Sequence, residues 1–200
     1  NPEELLSCKA IASVAVGYDI VDSLDRQKGY SGVGFENRFY EVEKARRNAV
    51  NIISLPKYTV KGESYEYSGA VIFKNDAPVL EINPEQSLIY AIATKKLKNG
   101  TALVDNKEYK ITDTKTKQGF SLDKRLEINM NINATISGDG KPKPQIAAVI
   151  SELFMKSRLI GADIFMFGNM IKRKNPKLWA EIEHNYYDVY KNSHLAVTVK

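Results

Sequence analysis

The most regular pattern in the chain is a strict alternation of apolar and polar residues between Leu126 and Ile136. Successive side chains of a β-strand point to opposite faces, so this pattern predicts a strand with one buried and one wetted face. Such a strand is typical of an antiparallel sheet that is covered on a single side. The apolar positions are Leu126, Ile128, Met130, Ile132, Ala134 and Ile136.

A helical period follows the turn at Gly138-Asp-Gly140. From about Pro144, apolar residues recur at intervals of three and four, which predicts a helix whose apolar stripe lies on the sheet. Lys156 and Arg158 fall near the end of this helix, where cations complement the helix dipole. The stripe consists of Ile146, Val149, Ile150, Leu153 and Phe154.

Shorter apolar runs precede the long strand and predict further strands. Lys74–Ala77 is a turn signal, and Pro78 is tolerable at the first position of the strand that follows. Asn83 followed by Pro84 predicts the start of a helix that reaches about Lys96, because asparagine caps free amides and proline suits the first turn. The strands are predicted near Glu63–Tyr67, Ala70–Phe73, Val79–Ile82, Thr101–Val104 and Tyr109–Thr112.

The first part of the chain has a different pattern, which favours helix. A short amphipathic turn at Asp19–Leu24 is followed by three glycines within Gly29–Gly34. A second helix is predicted from about Glu36, with an apolar stripe that includes Phe39, Val42, Ala49, Val50 and Ile53. It ends at Leu55-Pro56, since proline restricts the residue before it. We therefore predict residues 1–56 to be a helical segment that ends a preceding domain, and residues 57–200 to be a separate domain.

Together these patterns predict an α+β fold. Its centre is a mostly antiparallel sheet of about four to six strands, with the long helix from Pro144 packed on one face and further helices around it. A small helical segment precedes it. A chain of 200 residues buries roughly 70% of its unfolded surface, so this fold requires no disulfide or metal.

Charge and cysteine content exclude few classes of function. The formal net charge of +5 is modestly basic, and we interpret it as a contribution to solubility in preference to attraction to an anionic surface. The dense basic and aromatic stripe of a nucleic-acid binder is missing. Cys8 is the single cysteine, so an intrachain disulfide is excluded. We predict that Cys8 is a small buried residue.

Leu5–Cys8 imitates a lipoprotein cleavage box, but no basic leader and apolar core stand before it. No stretch of the sequence approaches the ~20 apolar residues of a membrane-spanning helix. Because the chain begins at Asn1 instead of methionine, we expect it to be a piece of a longer protein.

The sequence predicts no catalytic, cofactor or metal site. Neither His184 nor His194 has the sequence spacing of a metal ligand. We expect His184 on a helix surface and His194 at the entry of a strand. Asp163 lies in an apolar stretch. It is either a catalytic or ligand-binding carboxylate, or a helix cap, or a buried acceptor for backbone amides at the bend near Gly161. We favour the cap, because catalysis requires a second titratable group and the sequence supplies none nearby.

Two clusters near the C-terminus have alternative interpretations. The basic cluster of Lys172, Arg173, Lys174 and Lys177 is a solvated helix end or, less favoured, a contact for anionic lipid. Trp179, Tyr186 and Tyr190 share one helical face, which predicts a stripe facing the core in preference to an aromatic ligand platform. We expect Trp179 to be mostly buried against the Pro144 helix or the sheet.

The closing motifs resemble the Ger(x)C family, the lipoprotein subunits of bacterial spore germinant receptors. The family tends to end in Ala-Asp-Ile-Phe-Gly-Phe-Gly, then Arg-Lys-x-Pro-Lys-x-Trp, an aromatic helix and a strand. This chain has the corresponding segments in the same order, with Met166 in place of a glycine and Tyr186 where tryptophan is usual. They read Gly161-Ala-Asp-Ile-Phe-Met-Phe-Gly168, Lys172-Arg-Lys-Asn-Pro-Lys-Leu-Trp179, Asn185-Tyr-Tyr-Asp-Val-Tyr190 and His194-Leu-Ala-Val-Thr-Val-Lys200.

The resemblance covers roughly Tyr58 to Lys200, where Gly69–Lys74 is similar to a further family strand. It implies a non-enzymatic subunit, tethered through an upstream lipid anchor to the outer face of the inner spore membrane. It also implies assembly with membrane-embedded A and B subunits and no cofactor.

Two other classes of function stay open at this point. A small-molecule-binding or enzymatic domain would group Asp163 with His184 or Cys8 in a polar pocket. A nucleic-acid binder would lose affinity steeply with salt, and we expect no nucleic-acid binding.

Overall fold

A computed structural model describes residues 47–62, 64–104 and 107–200 of the chain, and within them it forms two β-sheets and five α-helices. The strands are β1 (Ile52–Lys61), β2 (Ser64–Lys74), β3 (Ala77–Ile82), β4 (Gly100–Val104), β5 (Lys107–Leu122), β6 (Leu126–Ser137) and β7 (His194–Val199). The helices are α1 (Pro84–Ala93), α2 (Pro142–Leu159), α3 (Phe167–Lys174), α4 (Pro176–Ile182) and α5 (Tyr186–Lys191), with a 3₁₀ turn at Glu183–Asn185. The predicted α+β class is confirmed.

The smaller sheet is antiparallel, with the order β1-β2-β3. Its second hairpin turns at Asn75 and Asp76, which both have positive φ angles, of 51° and 65°. Two such residues between paired strands are typical of a type I′ turn, whose twist matches that of the strands it joins. The predicted turn between β2 and β3 is therefore confirmed.

The larger sheet has the order β4-β5-β6-β7, and only its β6–β7 pair is parallel. Strand β6 alternates as predicted, with Leu126, Ile128, Met130 and Ile132 buried and the asparagines between them exposed. This sheet has four strands, as predicted, and most of its pairs are antiparallel. The second, three-stranded sheet was not predicted as a separate sheet, and the buried helix α1 contacts strands of both.

Helix α1 begins as the Asn83-Pro84 signal predicts. The Asn83 side chain accepts from the backbone N–H of Gln86 at 2.8 Å, and the Gln86 side chain accepts from the N–H of Asn83 at 3.3 Å, a capping box. All residues from Ser87 to Ala93 are buried, and the helix packs against β2, β4, β5 and α2. A helix that is buried all round belongs to the core, and here it joins the two sheets.

Side chains of β5 secure the C-terminal end of α1. The hydroxyl of Thr116 donates to the carbonyl of Ile92 at 2.9 Å, and the amide of Gln118 donates to that of Ala93 at 3.4 Å. The Ile92 carbonyl also accepts from the backbone N–H of Lys95 at 3.1 Å, so β5 adds side-chain hydrogen bonds at a helix end whose last carbonyls lack their usual helical partners.

Helix α2 begins at Pro142, two residues before its predicted start, and Lys156 and Arg158 lie in its last turn. It packs against β4 and β7 of the larger sheet and against α1. The predicted stripe is confirmed, with Val149 half-buried and the rest of it buried: Ile146, Ile150, Leu153 and Phe154.

The predicted helix that ends at Leu55 is wrong for its last residues. Ile52 and Ile53 are buried in β1, where they pair with Lys74 and Phe73 of β2. Pairing with a distant strand overrides a local helical period, because the local pattern contains no information about that strand. Pro56 lies inside β1, where it is tolerated because β1 is an edge strand in the described sheet.

The predicted boundary at residue 56 thus falls within a strand, and the division into domains 1–56 and 57–200 stays a prediction. Residues 1–46 lie outside the described part of the chain. They include Cys8, the segments predicted at Asp19–Leu24 and Gly29–Gly34, and the beginning of the helix predicted from Glu36.

Candidate functional site

The segment between α2 and α3 contains the first closing motif and begins with a defined helix stop. Gly161 has a φ of 62°, its N–H donates to Arg158 at 3.1 Å, and the N–H of Ala162 donates to Ser157 at 2.9 Å. This pair of bonds is a Schellman motif, which satisfies the last carbonyls of α2 and reverses the chain. The motif therefore fixes where Asp163 enters the core.

Asp163 is fully buried and connects two helices. Its Oδ2 accepts from the backbone N–H of Gly168 in the first turn of α3 at 2.7 Å and from the hydroxyl of Tyr186 in α5 at 2.7 Å. The interpretation of Asp163 as a buried acceptor for a backbone amide is confirmed, with Gly168 as the donor, whereas the helix cap favoured from the sequence is wrong in the strict sense because the N-cap residue of α3 is Met166. The contact of Asp163 with Tyr186 is an addition that the sequence did not reveal.

Burial raises the pKa of Asp163 to about 6, because an apolar environment disfavours the charged carboxylate. The hydrogen bonds from Gly168 and Tyr186 oppose this shift, since they stabilise the ionised form. Oδ1 has no hydrogen-bond partner within bonding geometry in the described part of the chain. Asp163 is thus a buried, partly compensated carboxylate whose described hydrogen bonds join parts of the fold.

Met166 occupies the position where the resembled family has glycine, and the backbone gives the reason. Its φ of 58° lies in the left-handed region, which glycine adopts without steric penalty and which costs other L-residues about 1–2 kcal/mol. The side chain is half-buried against the core. Packing of the methionine therefore offsets part of the backbone strain that a glycine would avoid.

Gly168 permits the close approach of α3, α5 and the segment before β1. A Cβ atom built at this position would lie 2.9 Å from Cγ1 of Val50 and 3.0 Å from two ring atoms of Tyr186. These distances are shorter than van der Waals contact, and the ring of Tyr186 is held by its bond to Asp163. The glycine of this motif is therefore required by packing.

Gly168→Ala is expected to lower the free energy of unfolding by about 1–3 kcal/mol, because overpacking displaces Tyr186 despite the better helix propensity of alanine. Urea denaturation of the purified chain measures this change. Gly119→Ala in β5 is the matched control, since a Cβ there meets no atom within 4 Å. Equal stability of the Gly168→Ala variant and the wild type would contradict the packing argument.

The aromatic residues of the closing motifs form one buried cluster. The Trp179 and Tyr186 rings are 5.0 Å apart, those of Tyr186 and Tyr190 are 6.1 Å apart, and Tyr190 meets Phe154 of α2 at 5.7 Å. The Tyr190 hydroxyl also lies 2.5 Å from that of Ser157. The predicted stripe facing the core is confirmed, although its residues lie on α4 and α5 with a 3₁₀ turn between them and not on one helix.

Trp179 is 5% exposed, which confirms that it is mostly buried. Its ring packs on Tyr186, and it belongs to the buried core cluster that also includes residues of α2 and the larger sheet. The indole N–H is buried without a hydrogen-bond partner among the described residues. Tyr190 brings the cluster into contact with α2 through Phe154 and Ser157.

The two histidines lie where the sequence predicted. His184 is exposed in the 3₁₀ turn, and His194 is the first residue of β7, with its Nδ1 2.9 Å from a carboxylate oxygen of Glu127. Asp163 is buried and bonded to Gly168 and Tyr186, so the structure does not group it with the exposed His184. Among the described residues, no set of three histidine, cysteine or acidic side chains could hold a metal ion.

The basic cluster forms an exposed helix end, as predicted. Lys172, Arg173 and Lys174 occupy the last turn of α3, and Lys174 donates to the carbonyl of Gln118 at 2.6 Å. The structure extends this cluster to Lys95, whose pKa is lowered by partial burial and by the charges of Arg173 and Lys174.

Further lysines, Lys98, Lys115 and Lys117, line a groove of about 330 Å³ beside Lys95. The alternation of lysines in β5 was the only sequence signal of this groove. It did not show that β5 lies beside α1.

Residues 68–200 match the protein family described as "Spore germination B3/ GerAC like, C-terminal". The chain belongs to this family. The match runs from within β2 to the end of the chain, so it includes all the closing motifs and the Asp163 contacts. No curated protein sequence matches the chain.

The fold is also similar to a solved structure, the crystal structure of the GerBC protein. The similarity has a TM-score of 0.66 at 11% sequence identity, and it covers 82% of this chain. The chain spans 59% of the length of that structure. At this level of identity the likeness concerns the fold, which is therefore shared with GerBC.

Within the described residues, no helix combines the length and the apolar character needed to cross a membrane.

Proposed function

We propose that this chain is the C-terminal part of the C subunit of a spore nutrient germinant receptor, acting through protein–protein contacts. It assembles with the membrane-embedded A and B subunits at the outer face of the inner spore membrane. A lipid anchor upstream of this chain holds it there. The family match over residues 68–200 is the observation that carries the proposal.

The arrangement of the closing motifs supports a role without catalysis. Asp163 is the titratable side chain at their centre, and its described hydrogen bonds are to Gly168 and Tyr186 within the fold. General acid or base catalysis requires a group that reaches a substrate. A fully buried carboxylate bonded in this way instead holds two helices together.

Co-purification tests the proposed assembly. We expect the full-length protein, tagged and expressed in its own spore-forming host, to retain the A and B subunits when inner spore membranes are solubilised. Full-length Gly119→Ala protein should retain both subunits, whereas Asp163→Ala protein should retain less, because its C-terminal domain is destabilised. Recovery of the wild-type protein without either subunit would contradict the proposal.

A germination assay tests the functional part. Spores that lack the gene are expected to lose the response to the nutrients of the corresponding receptor while they still germinate with a receptor-independent trigger. Complementation with the full-length gene should restore the response. Normal nutrient germination in the deletion strain, with no second receptor for the same nutrient, would overturn the receptor assignment.

A further inference from the structure

The C-terminal end of α2 exposes an unusual group of apolar side chains. Met155 is 56% exposed, Leu159 is 85% exposed and Ile160 is 41% exposed. Single apolar residues on a surface are normal, but a contiguous apolar group with a polar rim marks an interaction site. We name Met155, Arg158, Leu159, Ile160 and Lys191 the α2 tip.

The fold does not account for these side chains. Helix α2 already buries an apolar stripe on its other side, which includes Ile150 and Leu153. The Schellman motif at Gly161 satisfies the backbone at this end, and the ammonium of Lys74 donates to the carbonyl of Gly161 at 2.7 Å. The tip is therefore held in place while its apolar side chains stay in water.

Cations surround the apolar side chains of the tip. Arg158 donates through Nε to the backbone carbonyl of Lys191 at 2.7 Å, so both side chains stay at the same end of the helix. Together with Met155 and Leu159 they line an open groove of about 450 Å³. Lys74 lies beside this rim, with its Nζ 3.6 Å from the centre of the Tyr187 ring, and its pKa is lowered by burial and, to a smaller extent, by the charge of Lys191.

The positive charge of the tip is not neutralised within the described part of the chain. Arg158, Lys191 and Lys74 form no ion pair with a carboxylate there, whereas Lys156 on the same turn pairs with Glu152 at 2.6 Å. An apolar centre with cations around it that form no ion pair is complementary to a surface with an anionic outer layer and an apolar interior.

We propose that the α2 tip is a contact site for an anionic lipid bilayer. Leu159 and Met155 enter the boundary between headgroups and acyl chains, and Arg158 and Lys191 face the lipid phosphates. This is the arrangement of interfacial membrane-binding helices, which combine apolar insertion with attraction to anionic lipid. The site does not depend on the receptor assignment, because a bilayer recognises the tip with or without receptor subunits.

Two observations favour a bilayer over an acidic protein surface. Leu159 projects so far from the helix that most of its side chain is in solvent, and a fluid interface accommodates a projecting side chain without a matching pocket. The exposed Lys191 beside it has a long flexible stem, which suits mobile phosphates. The lysine groove at Lys95 has charge but no projecting apolar side chain, so insertion distinguishes the tip from that groove.

Vesicle co-sedimentation of the chain Asn1–Lys200 tests the site. We expect binding to vesicles of phosphatidylglycerol and phosphatidylcholine, loss of that binding in high salt, and no binding to pure phosphatidylcholine. The double substitution Met155→Ser with Leu159→Ser is expected to weaken binding about tenfold or more. Leu55→Ser is the matched control, because Leu55 is an exposed leucine on β1 away from the tip.

Charge substitutions separate the tip from general attraction. Lys191→Gln is expected to weaken binding about fivefold, whereas Lys117→Gln in the lysine groove should leave it unchanged. A fluorophore that responds to polarity, attached at Leu159→Cys in a Cys8→Ser background, should shift to the blue with anionic vesicles. The same label at Leu55→Cys should not shift. Circular dichroism confirms that each variant keeps the wild-type fold.

Three results would overturn the proposal. The first is no binding to anionic vesicles by the folded wild-type chain. The second is equal weakening by Lys191→Gln and Lys117→Gln with no effect of the serine substitutions, which would show nonspecific charge attraction. The third is binding of the tip to an acidic protein surface but not to vesicles, which would assign the tip to a protein partner.

Discussion

Asp163→Ala is expected to lower the free energy of unfolding at neutral pH by about 2–4 kcal/mol. The substitution leaves the N–H of Gly168 and the hydroxyl of Tyr186 without their acceptor in a buried environment. Removal of a buried carboxylate relieves some desolvation, but two unpaired donors and a cavity outweigh that relief. Urea denaturation followed by far-UV circular dichroism measures the difference.

The pH dependence of this difference is a separate part of the prediction. The folded-state pKa of Asp163 is about 6, above the ordinary 3.8, so the folded state binds its proton more tightly than the unfolded state. The contribution of this group to stability is therefore fully present below pH 4 and is lost as the pH rises through 6. The gap between the wild type and Asp163→Ala should widen by up to about 3 kcal/mol from pH 7 to pH 4.

Asp163→Asn is the matched control. Its carbonyl keeps an acceptor for Gly168 and Tyr186, while its amide places a donor where Oδ1 has no described partner. We expect a smaller loss, about 1–2 kcal/mol at neutral pH, and no titration near pH 6. If the wild type and Asp163→Asn had parallel stability profiles between pH 4 and pH 7, Asp163 would not have the raised pKa.

Trp179→Ala is expected to destabilise the chain by about 3–5 kcal/mol, the usual effect of removing a large aromatic side chain from a core. The indole is 5% exposed and packs on Tyr186, whose hydroxyl is bonded to Asp163. Loss of the ring therefore leaves a cavity next to that hydrogen bond. Thermal and urea denaturation both report the change.

Trp179→Phe distinguishes packing from a special role of the indole. Phenylalanine keeps an aromatic ring against Tyr186 and removes an N–H that has no described partner. We expect it to retain most of the wild-type stability, within about 1.5 kcal/mol. If Trp179→Ala kept wild-type stability but lost binding to the A and B subunits, Trp179 would be an interface residue and the core interpretation would be wrong.

Buried residues of the family motifs are unsuitable positions for testing the proposed contacts of this chain. Asp163, Gly168, Trp179 and Tyr186 lie in the motifs that identify the family, and all four are buried. Substitutions at these positions are expected to reduce germination by reducing the amount of folded protein. Surface contacts with lipid or other subunits are better tested at exposed positions such as Leu159.

Features that depend on neighbouring residues were predictable from the sequence. The cap at Asn83, the stripe of α2 and the wetted face of β6 each arise from residues a few positions apart, where spacing alone determines which side is buried. The role of Asp163 as a buried acceptor was predictable from its apolar surroundings, but its backbone partner, Gly168, was not predicted.

Features that depend on distant partners required the tertiary structure. Ile52 and Ile53 become strand because β2 offers its edge, and Tyr186 reaches Asp163 across 23 residues of chain. The division of the strands into two sheets and the burial of α1 from Ser87 to Ala93 were not indicated by the one-sided stripe of this helix. Local periodicity shows which side chains of a segment face the core and which face solvent. The partner of that segment depends on which surfaces meet when the chain folds, and only the tertiary structure determines this.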